Sequence, residues 1–234
     1  MSVNVVRDVD DAVRIRTVLV SVSDKQGLED LVPGLVGVSP EIRIYSTGGT
    51  YRRVMDVLGE KKAERHLTRV SEYTGQPETQ GGLVKTLDFK IYLGLLTETY
   101  NEAHRQDLDR TGSVAIDMVV CNLYPFGKTV SREGVTVEEA RANVDIGGPC
   151  MVRASAKNYL RVASVVDPGD YPMILEKLGR SGGTLDLETR FSLACKAFRH
   201  TAEYDAAISA YLTGVGFDEE RGCYTVRDTD GGEE

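Results

Sequence analysis

No apolar run in this 234-residue chain approaches ~18 residues, which excludes a membrane-spanning helix. Histidine is scarce: His66, His104 and His200 have no partner spacing, so the sequence indicates neither a metal set nor a Ser-His-Asp triad. Four cysteines, Cys121, Cys150, Cys195 and Cys223, are too dispersed for a C-x-x-C pair and read as reduced thiols. There is no G-x-G-x-x-G or Walker sequence, which leaves a dinucleotide or nucleotide-triphosphate enzyme unsupported. Residues 1–16 carry six charged side chains and no continuous apolar stretch, so no secretory signal is read and a cytoplasmic protein is expected. Basic residues are outnumbered, 28 to 36, and the net charge of -8 argues against non-specific nucleic-acid binding.

Much of that charge is local. Residues 216–234 hold seven carboxylates against Arg221 and Arg227, so the body carries only about -3 and basic clusters there can still attract an anion. Apolar residues at 41% and charged residues at 27% suit a globular chain long enough to bury about 70% of its surface. We read an extension over 1–16, one domain over 17–213 and an acidic tail over 214–234.

Residues 17–22 (TVLVSV) are β-branched and apolar, and Leu28, Leu31, Val32 and Leu35 follow at helical spacing. Residues 42–46 and the helix carrying Val54, Val57 and Leu58 repeat the pattern across a Thr47-Gly48-Gly49-Thr50 turn. Further strands are expected at 91–96, 116–122 and 162–166, and helices at 98–109, 137–144 and 171–178. This alternation predicts an α/β fold with a mostly parallel sheet covered on both faces. Residues 186–212 predict a long closing helix, and 179–184 (GRSGGT) is the most linker-like stretch.

Two strand exits carry the same signal, Ser21-Val22-Ser23-Asp24-Lys25 and Ser46-Thr47-Gly48-Gly49-Thr50. Hydroxyls, a lysine and bare backbone at a helix N-terminus offer N–H donors and a positive field for a phosphate. Either turn alone is as well explained by helix capping and chain reversal. In an open parallel sheet, however, two such turns can converge at the carboxyl ends of the strands. The segment Val144-Asp145-Ile146-Gly147-Gly148-Pro149 starts another helix, on which Arg153 and Lys157 share a face. Two cations so placed are either solvated or face an anion, and Asp145 is a candidate partner for Lys157. Asn122-Leu123-Tyr124-Pro125-Phe126 and the glycine-marked 81–86 loop, with Lys85, supply groups that can orient a carbonyl or donate to an oxyanion. Tyr124 is equally explicable as an amphipathic core residue.

With these residues in view, the sequence resembles the inosine monophosphate (IMP) cyclohydrolase half of a bifunctional purine-biosynthesis family whose other half is a transformylase. VSVSDKQGLEDLV, YSTGGTYRRV, VSEYTGQPETQGGLVKTL, VVCNLYPFGKTV, TVEEARANVDIGGPCMVRASAKNY, VVDPGDY and KAFRHTAEYDAAISAYL occur in family order over about residues 17–212. The resemblance implies a three-layer αβα, methylglyoxal-synthase-like fold, a homodimer and no cofactor or metal. It further implies a chain without the transformylase half and a separate enzyme supplying the formylated substrate. The implied reaction is dehydrative closure of 5-formamidoimidazole-4-carboxamide ribotide (FAICAR) to IMP.

By the same resemblance Lys157 is the proton donor or acceptor, Asp145 its partner, and Lys85 and Tyr124 hold or polarise the reacting groups. Ser23, Asp24, Lys25, Thr47, Gly48, Gly49 and Thr50 would hold phosphate and ribose. Thr86, Cys121, Asn122, Ile146 and Gly147 would contact the base. One stretch departs from the family: Leu83 stands in place of Arg, Asp88-Phe89 in place of His-Pro, and Tyr92-Leu93 in place of His-Gly. Loss of that guanidinium removes a charged donor worth ~1.5–3 kcal/mol, for which Arg153 or Lys90 could substitute. Two other functions fit parts of the pattern. One is a methylglyoxal-synthase-like phosphate-handling enzyme, against which VDIGGP and CNLYPF speak. The other is a non-catalytic nucleotide-binding or dimerisation module.

Overall fold

Short apolar runs free of polar alternation form the largely buried strands Thr17–Val20, Met118–Val120 and Ala163–Val165, and with the partly exposed strands Arg43–Ser46 and Leu67–Arg69 they make one parallel sheet. The computed structural model describes residues 5–77 and 85–227. Leu83, the glycines at 81 and 82, and the tail carboxylates from Asp228 onward lie outside the described residues. Contacts divide the chain into two units, one of residues 1–123 and 146–201, the other of 124–145 and 202–234.

In the first unit the sheet order is β4 (Leu67–Arg69), β3 (Arg43–Ser46), β2 (Thr17–Val20), β5 (Met118–Val120) and β6 (Ala163–Val165), all parallel. The chain starts in the middle at β2, steps outward to β3 and β4, then returns to β5 on β2's other side. The strand order therefore reverses between β2 and β5, where a crevice opens beyond the carboxyl ends of open α/β sheets. One face packs Val18, Val20, Ile44, Met118 and Val120 against α1 (Leu28–Val38), α2 (Gly48–Leu58) and α10 (Tyr171–Ser181). The other carries α5 (Phe89–Leu96) and α9 (Gly147–Lys157), and Ser155 of α9 hydrogen-bonds Ser164 of β6 at 2.8 Å. The three-layer αβα arrangement follows. Short helices α3 (Glu60–His66), α4 (Val70–Thr74) and α6 (Glu102–Thr111) complete the connections.

The strand expected at 91–96 is a helix. A short apolar run does not by itself distinguish a buried strand from a buried helix. Here the side chain of Asp88 accepts from the Lys90 amide at 2.8 Å as a cap, and Ile91, Gly94 and Leu95 make a helical buried face. Three strands escaped the periodicity because they are two or three residues long: β4, and the antiparallel pair β1 (Val13–Arg14) with β7 (Thr184–Leu185). The GRSGGT stretch is thus the end of α10 followed by β7 rather than a linker. Residues 10–15 are fastened to the unit, because fully buried Arg190 donates to the carbonyls of Asp10, Asp11, Tyr159, Leu160 and Leu185.

The long helix, α11, runs Leu187–Gly214. Its portion from Ala202 belongs to the second unit, with α7 (Phe126–Val130), α8 (Val137–Ala142) and α12 (Phe217–Gly222). There buried Phe126 meets Tyr204 and Tyr211 edge-on at 6.3 and 5.8 Å between ring centres. A Thr136–Glu139 capping box starts α8. Arg141 and Tyr224 both bond Glu138 and hold its carboxyl down to about 2. Among the described residues no helix is long and apolar enough to cross a membrane.

Candidate functional site

The exits of β2, β3 and β5 are tied together by side chains the sequence placed there. Ser21 Oγ and Thr47 Oγ1 lie 3.1 Å apart, and Ser46 Oγ donates to the Val20 carbonyl at 2.8 Å. Thr50 Oγ1 donates to the Val22 carbonyl at 3.0 Å and accepts from the Val22 amide at 3.2 Å. Asn122 clips the first turn: its Oδ1 accepts from the Ser23 and Asp24 amides at 2.7 and 2.8 Å, and its Nδ2 donates to the Asp24 carbonyl at 2.9 Å. Asp24 turns inward on its own loop, its carboxylate accepting from the Gln26 amide at 3.0 Å.

Because the Thr47 hydroxyl is engaged by Ser21, it does not cap α2, and the first hydrogen bond of that helix is Tyr51 N–H to the Thr47 carbonyl. The amides of Gly48, Gly49 and Thr50 have no intrahelical acceptor and add to the positive end of the helix dipole. Two ammonium arms flank this end. Lys85 Nζ lies 3.8 Å from where a Cβ on Gly48 would stand, and Lys25 Cε lies equally close to that of Gly49. Lys25 Nζ donates to the Ser23 carbonyl at 3.2 Å. Gly48 has φ of +45°, which a side chain would strain. Bare backbone N–H groups, a helix N-terminus and two cations form a site for a phosphate dianion.

The start of α9 supplies the next wall. No side chain caps it, and Pro149 falls in the first turn, where its missing N–H costs nothing. A Cβ on Gly147 would stand 2.8 Å from Oγ1 of buried Thr86, so glycine is what lets α9 approach the Lys85-Thr86 segment. Cys121 is buried just beyond β5 with its thiol 3.9 Å from the Gly148 carbonyl, while Ile146 is exposed. One unit thus brings together Ser23, Asp24, Lys25, Thr47, Gly48, Gly49, Thr50, Lys85, Thr86, Cys121, Asn122, Ile146 and Gly147 along one edge of the sheet.

It does not bring Lys157 there. Lys157 is the last residue of α9, about 15 Å along the axis from Gly147 at 1.5 Å per residue, and it is exposed. Arg153 lies over the Phe198 ring at 5.8 Å, and among the described residues neither cation forms an ion pair. Tyr124 and Asp145 belong to the second unit. Tyr124 is exposed, and the Asp145 amide donates to the Tyr204 hydroxyl at 2.7 Å. Burial first, then the neighbouring charges of Asp145, Asp205 and Tyr124, hold Tyr204 above the ordinary phenol range.

A polar cluster beyond β6 was not read from the sequence as functional. Lys196 of α11 bonds Asp167 at 2.6 Å and Asp170 at 2.8 Å, and its signal was the VVDPGDY and KAFRHTAEYD segments. The Lys196 ammonium holds Asp167 below the usual carboxylate range, assisted by the Gly169 amide. Among the described residues, no three His, Cys, Asp or Glu side chains are grouped to hold a metal ion.

Comparison with known proteins matches residues 155–229 to the family model AICARFT/IMPCHase bienzyme and residues 27–150 to the MGS-like domain. Among solved structures, the crystal structure of ForH superposes with a TM-score of 0.73 at 33% identity, covering 85% of this chain and 97% of that one.

Proposed function

Because the chain belongs to the AICARFT/IMPCHase bienzyme family, an enzyme family of purine biosynthesis, and has an MGS-like domain, we propose that it closes the purine ring of FAICAR to give IMP. The observation that carries this reading is the convergence of Lys25, Lys85 and the uncapped start of α2, which supports anchoring of a ribotide phosphate. The base would then extend toward Thr86 and Gly147.

In the proposed step the carboxamide nitrogen attacks the formyl carbon, forming the new C–N bond. The formyl oxygen takes up two protons and leaves as water; one proton comes from the attacking carboxamide nitrogen and the other from the formamido nitrogen, whose deprotonation forms the ring C=N bond. Both reacting groups sit on one molecule, so holding it folded in near-attack geometry supplies much of the acceleration. An amide nitrogen is a poor nucleophile and the formyl oxygen gains negative charge, so a proton carrier and aimed donors supply the rest, the former worth ~10²–10⁴-fold.

We assign the cationic role in this cleft to Lys85, and for Tyr124 and Asp145, which the second unit carries, we keep the roles the family resemblance implies. Asn122 is a positioning residue, since its amide is spent on the turn. Lys157 is the proton carrier the family resemblance nominates, but its place at the far end of α9 favours Lys85. Incubating the purified protein with FAICAR and following purine absorbance tests the proposal. Ring closure lost in Lys85→Ala and kept in Lys157→Ala supports it, and the reverse pattern returns the role to Lys157. A protein inert to FAICAR that converts a triose phosphate, or that only binds IMP, would replace ring closure by one of the two other functions.

A further inference from the structure

The ribotide cleft lies at the carboxyl ends of the strands, and a second cavity of about 290 Å³ opens at their amino ends. Its lining falls within residues 10–16 and 97–117 and at Arg161, all in the first unit. Arg16 and Asp117 directly precede β2 and β5, and Arg161 stands two residues before β6. Arg16 is five residues from Ser21 of the first turn, ~17 Å along extended chain at ~3.3 Å per residue, so cavity and cleft are separate. Some of the lining charge is spent on the fold. Asp117 takes Arg161 at 3.1 Å and accepts from the Arg16 and Thr17 amides at 2.9 Å, while Arg161 also donates to the carbonyls of Gly94, Thr97 and Ile116. Arg105 is likewise balanced by Glu102 and Asp109. Arg14 and Arg16 are not. They flank buried Ile15, whose amide donates to the Gly183 carbonyl at 2.9 Å, so both exposed side chains leave the same side of an extended segment. Among the described residues neither guanidinium forms an ion pair. Arg14 donates to the Gly182 carbonyl at 2.8 Å, and the Arg16 side chain has no hydrogen bond.

Two neighbouring guanidinium groups without carboxylate partners, both lining a cavity, suit a phosphate, whose oxygens accept paired N–H donors from arginine. The same cavity is lined by Asp10 and Glu98, ionised groups that only accept, so they repel a second phosphate and bond hydroxyls. Both are held in place, Asp10 by the Tyr100 hydroxyl at 2.6 Å and Glu98 by the Asn101 amide group at 3.2 Å. The volume stands at the small end of the ~300–1,000 Å³ usual for ligand pockets, which favours a compact ligand over a dinucleotide. We infer that this cavity is a second binding site, for a sugar monophosphate, whose phosphate Arg14 and Arg16 take and whose hydroxyls Asp10 and Glu98 accept from. The inference does not depend on the ribotide reading of the cleft.

The test titrates ribose 5-phosphate, inorganic phosphate and ribose by calorimetry at low ionic strength, because salt at 0.1 M screens exposed charges beyond ~10 Å. Wild type is compared with Lys25→Ala/Lys85→Ala, which removes the cations of the cleft and leaves the amino-end cavity intact. The expected result is that ribose 5-phosphate still binds the double variant, at least about tenfold more tightly than inorganic phosphate, while ribose alone does not bind. Adding Arg16→Ala to the double variant should weaken ribose 5-phosphate about tenfold or more, as for a lost charged hydrogen bond, and Arg14→Ala should act in the same direction. Thermal unfolding should not change in Arg16→Ala, because its exposed side chain has no protein partner to lose. If ribose 5-phosphate binds wild type but not the double variant, or binds the double variant equally well with and without both arginines, the second site is overturned while the ribotide reading stands. Ribose 5-phosphate binding no tighter than inorganic phosphate would overturn the sugar-monophosphate assignment. Wild type and double variant binding alike, with binding lost in Arg16→Ala, would support the second site and count against the cleft.

Discussion

Replacing Asn122 separates the stability of the β2 turn from its use as a phosphate cradle. The side chain makes three hydrogen bonds, two accepted from the Ser23 and Asp24 amides and one donated to the Asp24 carbonyl. At ~0.5–1.5 kcal/mol each, Asn122→Ala could lose at most ~4.5 kcal/mol. Asp24 is exposed and Ser23 half-buried, so water replaces part of the loss and ~2 kcal/mol is expected. The freed turn would no longer hold Lys25 beside Gly49, and IMP affinity should fall ~10–100-fold. Asn122→Asp supplies the control. Its carboxylate still accepts from both amides, so urea denaturation should show a smaller stability loss. Yet it places a negative charge beside the phosphate site, and IMP affinity should fall at least as far as in Asn122→Ala. An IMP affinity untouched in both variants, with stability lowered in Asn122→Ala alone, would show that the turn holds the fold and not the phosphate.

Three further outcomes are expected. Lys85→Ala should lower ring-closing turnover at least ~10²-fold, whereas Lys157→Ala, altering an exposed helix end about 15 Å from Gly147, should stay within several-fold in the same absorbance assay. Arg190→Met strands five backbone carbonyls in a buried position and should cost ~3–5 kcal/mol in urea denaturation, detaching residues 10–15. Asp167 has its carboxyl pKa depressed in the folded state, first by Lys196. Its contribution is therefore complete above the unfolded value of roughly 4 and disappears as pH falls through the lower folded value. Asp167→Asn should accordingly flatten the acid limb of the stability profile, read as urea midpoints between about pH 2 and 6, and leave its shape unchanged around neutrality.

Turn chemistry was the most legible part of the site. Ser21, Ser23, Thr47 and the Gly48-Gly49 pair announced two strand exits, and strand order then put them side by side. What a linear pattern lacks is the direction of a helix relative to the sheet. Arg153 and Lys157 share a face at the right spacing, but only the placement of α9 shows that Lys157 stands at the end away from Gly147. The same limit applies to Asn122, for which the family resemblance implied a base contact, while its side-chain amide is engaged by the neighbouring turn. In the fold, the error at 91–96 came from a run whose composition suits a buried strand. Asp88 as a cap, a local signal, was the residue to weigh against it. Arg190 could not have been foreseen, because its five acceptors are backbone carbonyls from three separate stretches of chain.

The most direct measurement is a crystal structure of the protein soaked with IMP. Phosphate oxygens within hydrogen-bonding distance of the Gly48 and Gly49 amides, with Lys25 and Lys85 flanking them and the base toward Thr86 and Gly147, are the predicted result. A nucleotide bound elsewhere, or with its phosphate away from the start of α2, would contradict it.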